Sequence, residues 1–240
     1  MLDRKLLRDL RLMWSQALTI ALVVASGTGG FVASLSAVES LAAARERFYA
    51  DGRFADVFAA VKRAPDALRE RLLGIDGVAD VQGTVERTVR VDIDGSSEPM
   101  LGHLIGVDRR APPRLNRVVV GRGRGLGSDD DGDGAIEALV SAGFAQAHGL
   151  QPGARIGALV NGKRRTLVMV GTGLSPEYIF AGMFGMPDVR GFGVFWIDRD
   201  ALAAAYDMAG AFDHLAVKLA PGASACASSS CPPTTPCWCR

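Results

Sequence analysis

Residues 137–180 read EALVSAGFAQAHGLQPGARIGALVNGKRRTLVMVGTGLSPEYIF, and they carry the clearest local structural pattern in the chain. Apolar runs predict a strand at 138–140, a short helix at 142–148 and two more strands at 155–160 and 166–171. The residues Gly-Leu-Gln-Pro-Gly at 149–153 predict a turn between the helix and the second strand. Asn161-Gly162 joins the last two strands and is the dipeptide most typical of a two-residue hairpin loop. Short strands mixed with a local helix indicate the α+β class.

The flanking sequence continues the same mixture of short strands and helices. Strands are predicted at 54–63, 78–93 with a break near Gly83, 100–107, 194–197 and 214–219. Helices are predicted at 67–73, between Pro65-Asp66 and Gly74, and at 200–208. The run GRGRGLGSDDDGDG at 121–134 predicts a polar, Gly-rich loop. We therefore expect one α+β domain over residues 39–222.

The N-terminal part of the chain predicts a membrane span. Residues 12–38 contain no charged residue, and this window is longer than the roughly 20 residues that a helix needs to cross a bilayer. Four basic residues precede it, and they predict that residues 1–11 lie in the cytoplasm as an amphipathic helix on the inner membrane face: Arg4, Lys5, Arg8 and Arg11. Small residues in the span would allow close packing on neighbouring spans: Gly27, Gly29, Gly30 and Ser34.

A cleavable signal peptide is the alternative interpretation of this N-terminus. Its elements are a basic start, the apolar run 17–25, and the small residues Ser34 and Ser36 before Ala37. The length of the apolar window argues against cleavage, as does the helical sequence that continues through residues 38–50 without proline. We therefore favour a membrane anchor.

Charge and cysteine placement exclude two further classes of protein. The 27 Lys and Arg residues balance 26 Asp and Glu, so the net charge of +1 argues against a dedicated nucleic-acid-binding protein. All four cysteines lie in the tail after Ala223, so they do not staple the domain together: Cys226, Cys231, Cys237 and Cys239. The tail, residues 223–240, is rich in Ser, Pro and Cys. We expect it to be disordered and non-native, as a frameshift would produce, rather than a metal or redox site.

No motif in the sequence predicts catalysis, a cofactor or a bound metal. Asp129, Asp131 and Asp133 match the start of a calcium-binding loop, but Val140 stands where its last ligand, a glutamate, is needed. The glycine run from Gly121 lacks the Gly-Lys-Ser/Thr of a phosphate-binding loop. The histidines are scattered without metal-ligand spacing and are interpreted as surface or packing residues: His103, His148 and His214. The protein is therefore not expected to be an enzyme.

Four stretches, in this order, resemble the N-terminal part of MacB/FtsX-type permeases of ABC transporters. The most specific is the stretch 137–180 quoted above, with its Leu-x-Pro-Gly turn leading into a hairpin that ends in Val170-Gly171. The others are RKLLRDLRLMWSQALTIALVVA (4–25), FADVFAAVKRAP with GIDGVADVQG (54–65 and 74–83), and GVFWIDRDALAAAYDMAGAFDHLAVKLAPGA (193–223). Together they cover nearly the whole chain before the tail.

The resemblance implies a permease subunit in the bacterial plasma (inner) membrane, with its N-terminus in the cytoplasm and its main domain outside, like the MacB periplasmic core domain. Family members have further spans, pair with an ABC ATPase subunit, and pass ATP-driven motion to the outer domain to export or extract an envelope substrate. This chain departs from that pattern because it stops before a second span, so we interpret it as a truncated subunit that transports nothing by itself. The alternative is a free-standing, membrane-anchored or secreted binding domain without an ATPase partner.

Two segments of the outer domain are candidates for contact with a periplasmic adaptor or substrate. They are the loop containing Ser175, Pro176, Glu177 and Tyr178, and the Gly- and Met-rich run 181–187. Long loops often carry function, but an ordinary connecting loop explains them equally well.

Overall fold

The computed structural model describes residues 13–93, 98–111, 113–127, 134–179 and 188–223. The amphipathic start, most of the acidic loop with its three calcium-type aspartates, the run 181–187 and the cysteine tail from residue 224 lie outside these ranges. Clustering of contacts divides the chain into two compact units, Met1–Phe48 and Tyr49–Arg240.

One long helix, α1 (Trp14–Asp51), forms the described part of the first unit and supplies the first residues of the second. It has 38 residues and is therefore about 57 Å long, well beyond the thickness of a bilayer core. Its most apolar 18-residue window has a mean hydropathy of 1.8 and is not buried within the protein. The prediction of an N-terminal helix apolar and long enough to span a membrane is thus confirmed.

The second unit combines ten strands with three short helices and a single 3₁₀ turn, Pro176–Tyr178, within the described residues. The strands are β1 (Val57–Pro65), β2 (Val78–Thr84), β3 (Glu86–Ile93), β4 (Met100–Val107), β5 (Val119–Gly123), β6 (Ile136–Ser141), β7 (Arg155–Val160), β8 (Lys163–Leu174), β9 (Phe192–Asp198) and β10 (Ala211–Leu219). The helices are α2 (Ala67–Leu73), α3 (Ala142–Ala147) and α4 (Arg199–Ala205). The expected α+β class is confirmed.

A three-stranded antiparallel sheet in the order β1-β10-β2 receives the chain from α1. We call it the small sheet. Its core is formed by Ala64, Val81, Phe212 and Leu215. Leu68 and Leu72, four residues apart on α2, pack against this core because they fall on one face of the helix. The first and last strands within the described residues, β1 and β10, are therefore hydrogen-bonded neighbours.

The other seven strands form a second sheet in the order β5-β8-β6-β9-β4-β3-β7. Strand β7 also pairs with β8, which closes all of these strands except β5 into a ring. Side chains alternate along each strand, so that on β9 Phe195 and Ile197 face the inner core while Val194 and Trp196 belong to an outer cluster. The ring is thus a filled barrel.

Glycine on neighbouring strands makes room for the aromatic side chains inside this ring. A Cβ atom at Gly102 would lie 2.6 Å from Cγ1 of Val91 and 2.9 Å from the Phe195 ring. A Cβ at Gly193 would lie 2.8 Å from both the Phe144 and the Phe195 rings. Phe144 and Phe195 meet edge to face, 5.5 Å apart, a favourable arrangement for aromatic pairs.

Most predicted elements exist, but several of their bounds differ. Residues 121–123, predicted as the start of the loop 121–134, belong to β5, because Gly121 and Gly123 allow this segment to lie against β8. The break between β2 and β3 falls at Val85 rather than Gly83. Pro65 ends β1 instead of opening α2.

Candidate functional site

The most concentrated group of ionisable side chains in the described part of the chain lies between the small sheet and the ring. Glu86 opens β3, His103 lies on β4, His214 on β10, and Glu177 and Tyr178 in the 3₁₀ turn after β8. We call these five residues the Glu86 cluster. Strand pairing positions them: His214 is opposite Thr84 at the end of β2, and Thr88 is opposite His103.

Glu86 is the centre of the cluster and is held from both sides. His214 Nδ1 lies 3.2 Å from Oε1, and Thr84 donates its hydroxyl to the same oxygen at 2.8 Å. His103 Nε2 lies 3.0 Å from Oε2, and the Tyr178 hydroxyl donates to it at 3.2 Å. The side chain of Glu86 is only 9% exposed. This carboxylate is therefore fixed in one orientation.

Glu177 is the second carboxylate of the cluster. Ser175 caps the short turn that contains it, because the Ser175 hydroxyl accepts a hydrogen bond from the Glu177 amide at 3.4 Å. The Asn116 side-chain amide donates to Glu177 Oε2 at 2.6 Å. Asn116 is itself buried, and its side-chain oxygen accepts from the Ala55 amide at 3.0 Å. The carboxylate of Glu177 is thus tied to the segment that follows α1.

The pKa values of the two carboxylates in the cluster are shifted in opposite directions. Burial raises the pKa of Glu86, but hydrogen bonds from His103 and His214 outweigh burial and leave its pKa far below the usual range. Burial, followed by the charge of Glu86, raises the pKa of Glu177 to about 7. The hydrogen bond to Glu86 raises the pKa of His214. Burial, together with both carboxylates, raises the pKa of Tyr178, so its hydroxyl remains a hydrogen-bond donor.

This arrangement can hold a charged group or share protons, and it opens onto a small cavity. The cavity has a volume of about 150 Å³, and Thr84, Glu86, Glu177 and Tyr178 are among its lining residues. Glu86, Glu177 and His214 each offer a ligand atom, and these atoms lie within 4.8 Å of one another. Two carboxylates and an imidazole in such a group match the ligands of a divalent metal ion.

A second, larger cleft of about 620 Å³ lies beside the β7–β8 hairpin. Its charged lining includes two ion pairs, Arg109 with Asp198 at 3.0 Å and Arg124 with Glu137. The Gly127 amide donates to Glu137 Oε2 at 2.7 Å. The cleft is predominantly basic because further cationic residues line it: Arg155, Lys163 and Arg165.

Asp56 forms a junction between the residues that follow α1 and the end of β10. Its amide donates to the Val217 carbonyl at 2.8 Å, and its Oδ2 accepts from the Leu219 amide at 2.8 Å. Lys218 Nζ lies 3.0 Å from Asp56 Oδ1 and donates to the Phe54 carbonyl at 2.8 Å. The residues just after α1 and the last residues of β10 are therefore bound side by side.

Aromatic rings run from the last turn of α1 to the Glu86 cluster. The Tyr49 and Phe54 ring centroids are 5.0 Å apart, and those of Phe54 and Phe58 are 5.5 Å apart. Phe58 lies 6.3 Å from the His214 ring. These contacts place the cluster beside the segment through which the chain arrives from α1.

The sequence-predicted contact residues lie in two different settings. Ser175 and Pro176 are buried, and Glu177 and Tyr178 point into the Glu86 cluster, so their contact with a partner remains a prediction.

The four small residues of the span are exposed, and a Cβ added at any of its three glycines would meet nothing within 4 Å. Their packing on further spans also remains a prediction.

Sequence reasoning missed Glu86, His103 and His214 as a group. The sequence predicts the histidines to be surface or packing residues because no short spacing connects them, yet the fold brings His103 and His214 to opposite oxygens of one carboxylate. The available signal was weak. Each residue interrupts or borders an apolar strand pattern, which is where a polar side chain needs a partner.

Comparisons with known proteins give no match to any family model and none to any curated protein. Among solved structures, the extracellular domain of the noncanonic ABC-type transporter YknZ from Gram-positive bacteria has a TM-score of 0.44 and 15% identity, over 67% of this chain and 75% of that one. The periplasmic region of MacB from Actinobacillus actinomycetemcomitans has a TM-score of 0.40 and 11% identity, over 67% of both chains. A domain assigned to a permease protein from Porphyromonas gingivalis has a TM-score of 0.41 and 17% identity, over 69% of this chain and 70% of that one.

The first two of these structures are named as the extracellular domain and the periplasmic region of their proteins, the location that the sequence resemblance implies for residues 39–222.

Proposed function

We propose that this chain is the first membrane span and outer domain of an ABC-transporter permease subunit, moved by ATP hydrolysis on a separate ATPase subunit. The observation that carries the proposal is the junction at Asp56. It binds the chain arriving from α1 to the chain leaving β10. A domain inserted between two membrane spans needs both of its connections at one place, and a junction that holds the residues after α1 against the end of β10 supports this arrangement.

Backbone hydrogen bonds fix the turn that follows α1. The Arg53 amide donates to the Ala50 carbonyl at 3.0 Å, and the positive φ of Arg53, 48°, turns the chain so that the Phe54 amide donates to the Tyr49 carbonyl at 3.0 Å. The carbonyls of Gly52 and Arg53 then accept from the amides of Arg117 and Asn116, at 2.9 and 3.2 Å. These bonds fix the turn against the residues that precede β5, within the second unit.

The work of the outer domain in this proposal is binding and movement, without bond-breaking chemistry of its own. The substrate is an envelope molecule to be exported or extracted, and the Ser175–Tyr178 turn with the run 181–187 is the proposed contact for it or for a periplasmic adaptor. The small residues of the span would pack on the further spans of the intact subunit.

The topology of the chain in the membrane is tested with single cysteines introduced into a chain whose four tail cysteines are changed to serine. The variants Asp3→Cys and Lys163→Cys, expressed in a Gram-negative host with a permeabilised outer membrane, are exposed to a membrane-impermeant maleimide. We expect labelling at position 163 and none at position 3 until the inner membrane is opened. The intact mass of the membrane-bound protein is measured alongside, because a cleaved signal peptide would remove the first residues.

The proposed partnership with an ABC ATPase subunit is tested by reading the source DNA in all three frames around codons 220–245 and beyond. Three further apolar spans in a continuing frame, beside a gene for an ABC ATPase, would support the permease. A clean stop with no such neighbour, or a cleaved and released domain, would instead support the free-standing binding domain.

A further inference from the structure

We propose that Glu86, Glu177 and His214 form a zinc-binding site at the junction of the small sheet and the ring. This inference goes beyond the transport function and does not depend on it. Each ligand comes from a different element, β3, the 3₁₀ turn and β10. A bound ion would therefore tie together segments that are distant in sequence.

The geometry of the three side chains is close to that of a zinc site. Zn²⁺ bonds to imidazole nitrogen and carboxylate oxygen at about 2.0–2.2 Å, which places neighbouring ligand atoms about 3.3 Å apart in a tetrahedron. His214 Nδ1 and Glu86 Oε1 are already 3.2 Å apart. All three ligand atoms lie within 4.8 Å of one another, so small side-chain rotations would close the set around an ion.

The surrounding hydrogen bonds hold the carboxylates as metal ligands are held elsewhere. His103 and Tyr178 fix Oε2 of Glu86, on the side away from His214. Asn116 fixes Oε2 of Glu177. Such partners orient ligating carboxylates, and their loss weakens metal binding in known sites.

The charges also favour a cation. Among the described residues, neither Glu86 nor Glu177 forms an ion pair with Lys or Arg. Arg87 donates to the backbone carbonyl of Glu86 at 2.6 Å, and its guanidinium pairs with Asp213. Arg69, Arg114 and Arg199 line the same cavity, but the ion pairs of the Glu86 carboxylate are with imidazoles, whose charge is lost on deprotonation and which a divalent ion can replace.

The ligand set selects zinc over harder cations, and the cavity gives it access. Calcium takes six to eight oxygen ligands and magnesium retains an octahedral shell, whereas one imidazole with two carboxylates is a set that zinc accepts. The 150 Å³ cavity reaches both Glu86 and Glu177. It leaves room for the water that completes a site with three protein ligands.

The test uses the full chain in detergent, untagged and with its four cysteines changed to serine, because thiolates would themselves bind zinc. After removal of metal with a chelator, ZnCl₂ is titrated calorimetrically, and CoCl₂ is added separately while the visible spectrum is recorded. We expect one equivalent of Zn²⁺ to bind with micromolar or tighter affinity. Cobalt should give the intense visible bands of a four-coordinate ion rather than the weak bands of its hexahydrate.

Two variants and a control assign the binding to the cluster. Glu177→Gln keeps the shape of the side chain and an oxygen for Asn116, and His214→Gln removes the imidazole. Each should weaken zinc binding at least about tenfold. His148→Gln is the matched control, because His148 binds the Arg190 carbonyl outside the cluster, and it should bind zinc like the parent chain.

The proposal is overturned by a parent chain that shows no saturable zinc binding or only the hexahydrate-like cobalt spectrum. It is equally overturned if both variants bind zinc as tightly as the parent while their circular dichroism spectra show that they are folded. Should a variant not fold, the cobalt spectrum of the parent chain decides the matter by itself.

Discussion

Arg199 and Asp66 connect the ring to the small sheet. Nη2 of Arg199, the first residue of α4, donates to both carboxylate oxygens of Asp66 at 2.8 and 3.0 Å. Asp66 is the N-cap residue of α2, which packs on the small sheet. The same nitrogen donates to the Ala211 carbonyl at the start of β10, 3.2 Å away. The Arg199 guanidinium therefore joins the ring to the small sheet.

Replacing Arg199 by Met should lower the free energy of unfolding by about 1–3 kcal/mol. Met retains much of the apolar stem but leaves a partly buried carboxylate without its cation and a carbonyl without its donor. Urea unfolding followed by near-UV circular dichroism measures the change. Arg164→Met is the control, because Arg164 is 76% exposed and lies 3.5 Å from Asp92, and it should change stability by less than about 0.5 kcal/mol. Equal effects of the two substitutions would contradict the role given to Arg199.

Gly102→Ala should destabilise the ring by about 1–3 kcal/mol. The new methyl group would lie 2.6 Å from Val91 Cγ1 and 2.9 Å from the Phe195 ring, inside a filled core. Gly157→Ala, on β7, is the matched control because its Cβ would meet its nearest neighbour, Arg164 Nη2, at 3.4 Å. That substitution should remain within about 0.5 kcal/mol of the parent in the same urea titration. A tolerated Ala at position 102 would show that the barrel interior is not packed as described.

Local sequence signals predicted the hairpin well. Strand β7 has the predicted bounds, and Asn161 and Gly162 adopt positive φ of 46° and 74°, as a tight hairpin turn requires. The α2 helix also has its predicted bounds, 67–73. These elements depend on neighbouring residues, so a local pattern contains most of the necessary information.

Closure of the ring and assembly of the Glu86 cluster depend on contacts distant in sequence. Val91 pairs with Ala158, and the strands between them give no sequence signal for this partnership. His214 reaches Glu86 only because β10 lies between β1 and β2. Register and strand order are set by the packing of the whole domain, so the site could not be predicted from one sequence.

Asp56→Ala should loosen the end of β10. The substitution removes the acceptor of the Leu219 amide and the partner of Lys218, with a local cost of about 1 kcal/mol. Hydrogen–deuterium exchange of peptides covering residues 215–223 should then be about fivefold faster. Asp56→Asn retains an oxygen for the Leu219 amide and should show a smaller increase. Unchanged exchange in the alanine variant would remove the basis for the junction and weaken the proposed function.

Glu137→Gln should reveal a pH-dependent contribution to stability at the edge of the larger cleft. Burial raises the pKa of Glu137, but hydrogen bonds from Arg124 and the Gly127 amide, with the charges of Arg124 and Arg109, outweigh it and lower the pKa. A carboxyl whose pKa is lower in the folded state stabilises the protein above its unfolded pKa, and this stabilisation is lost as pH falls through the folded pKa.

The parent should therefore be more stable than the Glu137→Gln variant at pH 7. The difference should shrink steadily from about pH 5 to pH 3. Urea midpoints at pH 7, 5, 4 and 3 measure it, with Glu98→Gln as the control because Glu98 is exposed. The control should stay within about 0.5 kcal/mol of the parent at each pH. A difference at Glu137 that is constant with pH would mean that its hydrogen bonds stabilise the cleft without dependence on its charge.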